Sequence, residues 1–267
     1  MTAVTAASPA TAAASVMVRD LLTGPPRPAT VLDAGPAASY LDVGGRLVAV
    51  VAAGAVLVPC ALVLAGDAVP PAGDGLAVGR RAVLRDDTPV VAVRRWFDPR
   101  VEVDRFDPAL VAVATDLVRD RRRRDDLVDD DAADRLPAAL EGDVDATVAA
   151  LVGRGTGLTP AGDDLLAGAL AALRAVGSPA AGPLGDAVRA RAPGATTRLS
   201  AALLFDADHA AVLPEAAALL RALAGTGDLT RGVDRLVAVG GTSGWHLAAG
   251  VVAGATVAVG SSLEAAP

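Results

Sequence analysis

The stretch RFDPALVAVATDLVRD, residues 105–120, divides the chain into two kinds of pattern. Asp107 is placed to cap a helix, Pro108 suits the first helical position, and Ala109 to about Arg122 continues it. Upstream, from Thr30 to Phe106, the chain is Val-rich and its short apolar runs are punctuated by Gly and Pro. That pattern predicts strands at Ser39–Val43, Arg46–Ala53, Cys60–Leu64, Leu76–Val78, Arg81–Arg85 and Val90–Arg94, with Gly44-Gly45 as a hairpin turn. Downstream, further helices are predicted at Asp131–Leu140, Asp143–Val152, Pro160–Val176, Pro183–Arg191, Thr197–His209, Leu213–Ala224, Leu229–Val239 and Ser243–Val259. The expected fold is α+β. Residues 1–29, Ala/Thr-rich at the start, form a disordered or helical lead-in; residues 30–106 form an antiparallel β domain that can close into a small barrel; residues 107–267 form an all-helical domain.

Composition narrows the chemistry. The 267 residues carry 24 basic side chains, every one an arginine, against 31 acidic ones, for a net charge of −7. An acidic chain argues against a general nucleic-acid binder, which needs a basic face for phosphates. Without lysine there is no Schiff-base nucleophile, no pyridoxal-phosphate anchor and no Walker-type phosphate loop. The single cysteine, Cys60, excludes an internal disulfide and thiolate metal clusters, and a reducing, cytoplasmic setting is the default expectation. Two histidines, His209 and His246, leave no His-rich metal site. The run Arg121–Arg124 followed by Asp125, Asp126 and Asp129–Asp131 reads as a basic helix end meeting an acidic helix start, which suits both macrodipoles. An anion or RNA patch is the alternative, weakened by the neighbouring carboxylates.

Two uncharged runs, Leu47–Gly66 and Leu236–Leu263, are long enough to span a bilayer. Gly54 and Pro59 break the first into two strand-sized pieces, and Gly240-Gly241-Thr242-Ser243-Gly244 places a turn and helix start inside the second. A soluble reading is therefore preferred to a membrane span.

The most informative segment for function is Gly153-Arg154-Gly155-Thr156-Gly157-Leu158-Thr159-Pro160-Ala161-Gly162-Asp163-Asp164. Alternating glycines let a backbone approach a ligand closely. Thr159 is a natural N-cap before Pro160, so free N–H groups and the positive helix end are expected to make an anion pocket, with Arg154 adding a bidentate contact. Asp163 and Asp164 fall in the first turn, where they complement the dipole or hold a substrate amide, an ammonium or a divalent cation such as Mg; adjacent helical residues point about 100° apart, so the two do not face one ligand equally. The plain alternative is a close-packing turn. Two other helix starts have similar chemistry: Thr196-Thr197-Arg198-Leu199-Ser200, and Thr242-Ser243-Gly244-Trp245-His246. Each alone reads as a cap, but three in one helical half suggest convergence on a small anion. His246 is a packing residue or a general acid or base, His209 a helix-end partner, and Cys60 a core residue.

GRGTGLTPAGDDLLAG, then TTRLS, then GGTSGWHLAAG resemble, in content and order, the family that includes the AllH-type subunit of oxamate carbamoyltransferase. The resemblance runs from about Leu41 onward, more loosely in the upstream part. One departure is His246, which stands where the family pattern is S-G-W-D. The resemblance implies transfer of a carbamoyl group from carbamoyl phosphate to oxamate in allantoin and purine breakdown. It also implies other subunits of a hetero-complex, some similar to acyl-CoA synthetase subunits. The expected site is Asp163 and Asp164 as catalytic groups with Arg154, Gly155, Gly157, Thr159, Gly162, Thr197, Arg198, Ser243, Gly244 and His246 binding substrate; no resident metal or cofactor is expected beyond a Mg ion, and no nucleic acid. The rival expectation is a non-catalytic binding or scaffold subunit.

Overall fold

The structure, a computed structural model, describes residues 8–67, 69, 73–124 and 131–264. The chain divides into two compact units, residues 1–98 and 99–267.

The first unit is a 9-stranded, nearly closed sheet. Its strands are β1 (Ala10–Ser15), β2 (Arg27–Pro28), β3 (Thr30–Ala34), β4 (Ala38–Val43), β5 (Arg46–Val51), β6 (Ala61–Leu64), β7 (Leu76–Gly79), β8 (Ala82–Arg85) and β9 (Thr88–Phe97); a 3-10 turn (Val16–Val18) and helix α1 (Arg19–Thr23) separate β1 from β2. The order across the sheet is β2-β7-β8-β9-β1-β6-β5-β4-β3. The two edge strands are consecutive in sequence, with only Ala29 between them, and the Ala29 N–H donates to the Leu76 carbonyl at 2.8 Å. That one step carries the chain from one edge to the other and removes most of the exposed edge a flat sheet would leave.

Two expectations are corrected. The sheet is mixed and not wholly antiparallel, because β1 runs parallel to β9 and β5 parallel to β6. The segment between Ala53 and Pro59 is thus a crossover between parallel neighbours, which a two-residue hairpin cannot make. The lead-in is helical only at Val16–Thr23; ahead of that, β1 lies inside the sheet, between β9 and β6. Ala12, Ala14 and Ser15 are buried. Alanine has weak strand propensity, but pairing on both edges overrides it. Gly44 and Gly45 make the expected tight turn, both with positive φ, and Cys60 is buried as expected of a core residue.

The second unit is helical: α2 (Pro108–Arg124), α3 (Asp131–Glu141), α4 (Val144–Leu151), α5 (Ala161–Ala175), α6 (Ala181–Arg191), α7 (Arg198–Ala207), α8 (Pro214–Leu223), α9 (Leu229–Val237) and α10 (Ser243–Glu264). Asp107 caps α2 as its sequence indicates, accepting from the Ala109 N–H at 2.8 Å. The unit begins before that helix. Val101 and Val103 donate from their backbones to Ala210 and Ala175 carbonyls, so the extended stretch ahead of α2 is tied into the helical unit. The residues 125–130 of the acidic run lie outside the described residues.

α5 and α10 form the centre of this unit. Nearly all of α5 is buried, and α10 runs beside it in the same direction: Gly250 meets Leu165, and Gly254 meets Ala169. The Ser243–Ser262 stretch of α10 is long and apolar enough to cross a membrane, and most of it is buried. Trp245 fixes its first turn by donating its indole N–H to the Val118 carbonyl of α2 at 3.0 Å. Because the two central helices are parallel, their N-termini open at the same end of the unit.

Candidate functional site

At that end the three motif segments meet. Asp163, in the first turn of α5, is 1% exposed. Its Oδ1 accepts the Gly153 N–H at 2.8 Å, and its Oδ2 accepts the Ser200 hydroxyl at 2.7 Å and the Thr196 hydroxyl. One carboxylate therefore joins the glycine loop, α5 and the start of α7. Thr197 caps α7, accepting from the Ser200 N–H at 3.0 Å, while its hydroxyl donates to the Leu158 carbonyl at 2.5 Å. The same side chain ends the helix and pins the loop. Thr197→Ala is expected to lower stability by about 1 kcal/mol, read from the urea midpoint.

The third segment joins through Thr159, whose hydroxyl lies 2.7 Å from that of Ser243 at the start of α10. Thr159 is not the N-cap of α5. Pro160 holds that position and offers no side-chain bond, so the Thr159 hydroxyl is left to face α10. Asp164 sits against both hydroxyls; it is 7% exposed, and its Oδ2 has no hydrogen-bond partner among the described residues. Burial pushes its carboxyl from 3.8 up to about 8, the Asp163 charge adds to the rise, and the Ser243 and Thr159 hydroxyls oppose it.

This raised value has a checkable consequence. Between about pH 4 and pH 8 the folded chain keeps a proton on Asp164 that the unfolded chain has lost. Stability from this group is therefore complete below the lower value, declines by up to about 1.4 kcal/mol per pH unit between them, and is level above the upper one. Asp164→Asn places a neutral amide in the same space and removes the decline. Urea denaturation of both proteins from pH 5 to pH 9 should give curves that diverge up to about pH 8 and keep a constant separation beyond it; curves parallel throughout would contradict an uncharged Asp164.

The anion pocket differs from the one the motif suggested. Three amides at the tip of α5 are occupied internally: Gly162 N–H donates to the Arg154 carbonyl at 2.9 Å, and the Asp163 and Asp164 amides both donate to the Pro160 carbonyl. Gly244 N–H donates to Val239 at 3.0 Å. The motif glycines also divide. A Cβ on Gly162 would lie 2.1 Å from the Leu151 carbonyl oxygen, and one on Gly244 would lie 2.1 Å from that of Leu236, so both are close-packing residues. Gly157, by contrast, is exposed with open space around it. Among the described residues, the amides of Gly155, Thr156, Gly157 and Leu158 have no acceptor. Free donors thus lie on the loop ahead of α5.

Arg154 and Arg198 are exposed on the flanking segments. His246 is half-buried; its Nδ1 lies 2.9 Å from the Thr242 carbonyl and its ring meets Trp245 edge-on. His209 is held to the Phe205 carbonyl at its helix end. Among the described residues, no group of three or more His, Cys, Asp or Glu side chains could hold a metal ion. Sequence reasoning missed Thr196 and Ser200 as the partners of Asp163, and Leu158 as the partner of Thr197.

No curated protein matches the chain, and no solved structure does. The family match is narrower than the expected span from Leu41, and it contains the glycine loop, α5, α7 and the first half of α10. Residues 151–255 match the model of the family described as oxamate carbamoyltransferase subunit AllH.

Proposed function

We propose that the chain is a subunit of an oxamate carbamoyltransferase whose substrate end is the meeting point of the glycine loop, α7 and α10. The observation that carries this reading is Asp164: a buried carboxyl with one oxygen unpartnered, held beside two hydroxyls at a family-matched motif. The loop amides of Gly155 to Leu158, with Arg154 and Arg198, take the phosphate of carbamoyl phosphate. The oxamate nitrogen attacks the carbamoyl carbon, and the new C–N bond forms as charge gathers on the carbamoyl oxygen. The C–O bond to phosphate then breaks and phosphate leaves with the electron pair. The proton lost by nitrogen passes to Asp164 in its carboxylate form, whose value near 8 suits exchange at neutral pH. Asp163 positions the segments, since three internal donors occupy it.

The scaffold reading has its own observation in its favour, the close packing at Gly153 and Gly162, which a structural motif would need equally. Calorimetric titration of the full chain with carbamoyl phosphate, alone and with the subunits that co-purify with it, separates the two. The enzyme reading expects binding that weakens about tenfold in Arg198→Ala and survives in Glu215→Ala on α8. It expects Asp164→Asn to retain binding but to lose phosphate release by at least about a hundredfold. Absence of binding in every combination leaves the scaffold reading.

A further inference from the structure

The β unit carries a charged surface that the proposed reaction does not use. The Arg19 and Arg81 guanidinium carbons lie 4.7 Å and 5.6 Å from the ring centre of Trp96, a half-buried residue near the end of β9. Register brings in three more arginines. Ala82 of β8 faces Ala92 of β9, and the Val93 N–H donates to the Arg81 carbonyl at 2.8 Å, so the Arg80-Arg81 turn lies beside the part of β9 where Arg94 follows Val93. Arg95 follows on the same strand. All five are exposed, and among the described residues none has a carboxylate within ion-pair distance. Exposed like charges repel one another only weakly through water, and an anionic surface brought against them gains from all of them at once.

The turn that presents two of them points the same way. Arg80 and Arg81 form a two-residue hairpin turn with φ of 52° and 59°. Side chains other than Gly, Asn and Asp rarely adopt that conformation. The next hairpin, with the same geometry, uses Asp86 and Asp87, which tolerate it. Glycine is not scarce in a chain that contains 28. The turn is anchored by backbone alone, through Arg80 N–H to Gly24 O at 3.0 Å and Arg81 N–H to Leu22 O at 2.6 Å. Any residue would supply those amides, so what arginine adds here is its charge, held in place against backbone strain.

We propose that this arginine surface around Trp96 docks an acidic face of a partner protein. Five charges drawn from α1, a hairpin tip and β9 cover more surface than a single small anion needs. The rest of the chain is strongly acidic, since the other arginines face all 31 carboxylates. A long polyanion such as nucleic acid would be repelled along most of its length, whereas a folded partner with a local acidic patch touches only this surface.

The test uses the full chain and a labelled poly-glutamate peptide, with binding read by anisotropy at low salt. The variant Arg80→Gly/Arg81→Gly is expected to denature at higher urea, because strain is relieved, yet to bind the peptide at least about tenfold more weakly. The control Arg191→Glu/Arg221→Glu, on the helical unit, should stay within about twofold. Peptide binding should shift tryptophan emission in Trp245→Phe and not in Trp96→Phe. Equal binding by the glycine variant, an equal loss in the control, or tighter binding of duplex DNA of matched charge would each overturn the proposal.

Discussion

Asp163→Ala is expected to lower the stability of the helical unit by about 5 kcal/mol, enough to leave much of it unfolded at room temperature. The carboxylate accepts from the Gly153 amide and from the Thr196 and Ser200 hydroxyls, in a place only 1% exposed. Charge-assisted bonds of this kind contribute about 1.5–3 kcal/mol each, and their loss strands three donors where water enters poorly. Asp163→Asn keeps the shape but turns one acceptor into a donor facing other donors, so it should fall between alanine and the native residue. Urea denaturation followed by circular dichroism at pH 7 measures both. An alanine variant within about 1 kcal/mol of native would mean that Asp163 is not the joint between loop, α5 and α7.

The second large effect lies deeper. Gly250→Val should destabilise by about 3–5 kcal/mol, because a Cβ at this position would stand 2.2 Å from the Leu165 carbonyl oxygen, 2.9 Å from its carbon and 3.0 Å from its Cα. These atoms are helix backbone and give way only if α5 and α10 separate. Gly254 against Ala169 and Gly168 against Leu247 repeat the contact along the same pair of helices. Separation would also carry Thr159 away from Ser243 and so open the polar end. Gly182→Ala on α6 is the matched control. Nothing lies within 4 Å of a Cβ there, so replacement of a helical glycine should be neutral or slightly stabilising. Comparable losses in both variants would show general sensitivity to glycine replacement and no special α5–α10 contact.

Much of this architecture could be read from sequence where the signals are local. Asp107-Pro108 marked the start of α2, Thr197 the cap of α7, and Gly44-Gly45 the turn between β4 and β5. β1 was hidden because its alanines carry no strand signature; its place depends on neighbours at Leu62–Leu64 and Val91–Phe97, far along the chain. The parallel pairings were hidden for the same reason, since register between distant strands leaves no mark in either one. At the candidate site the motif located the right segments but not their wiring. That adjacent helical residues diverge by about 100° separated the roles of Asp163 and Asp164 without saying which faced inward. The partners that decide it, Thr196 and Ser200, lie 33 and 37 residues away. Likewise the close packing of Gly162 against the Leu151 carbonyl has no local signal in the sequence.

The claim on which the rest depends is that small anions are taken at the shared N-terminal end of α5, α7 and α10. Amide chemical-shift mapping of the isotope-labelled full chain during titration with carbamoyl phosphate tests it directly. The account predicts saturable shifts at Gly155, Thr156, Gly157, Leu158 and Ser243, with Gly177, Ser178 and Ser262, at the far ends of α5 and α10, unmoved. Shifts confined to those far ends, or none at a saturating concentration, would contradict it.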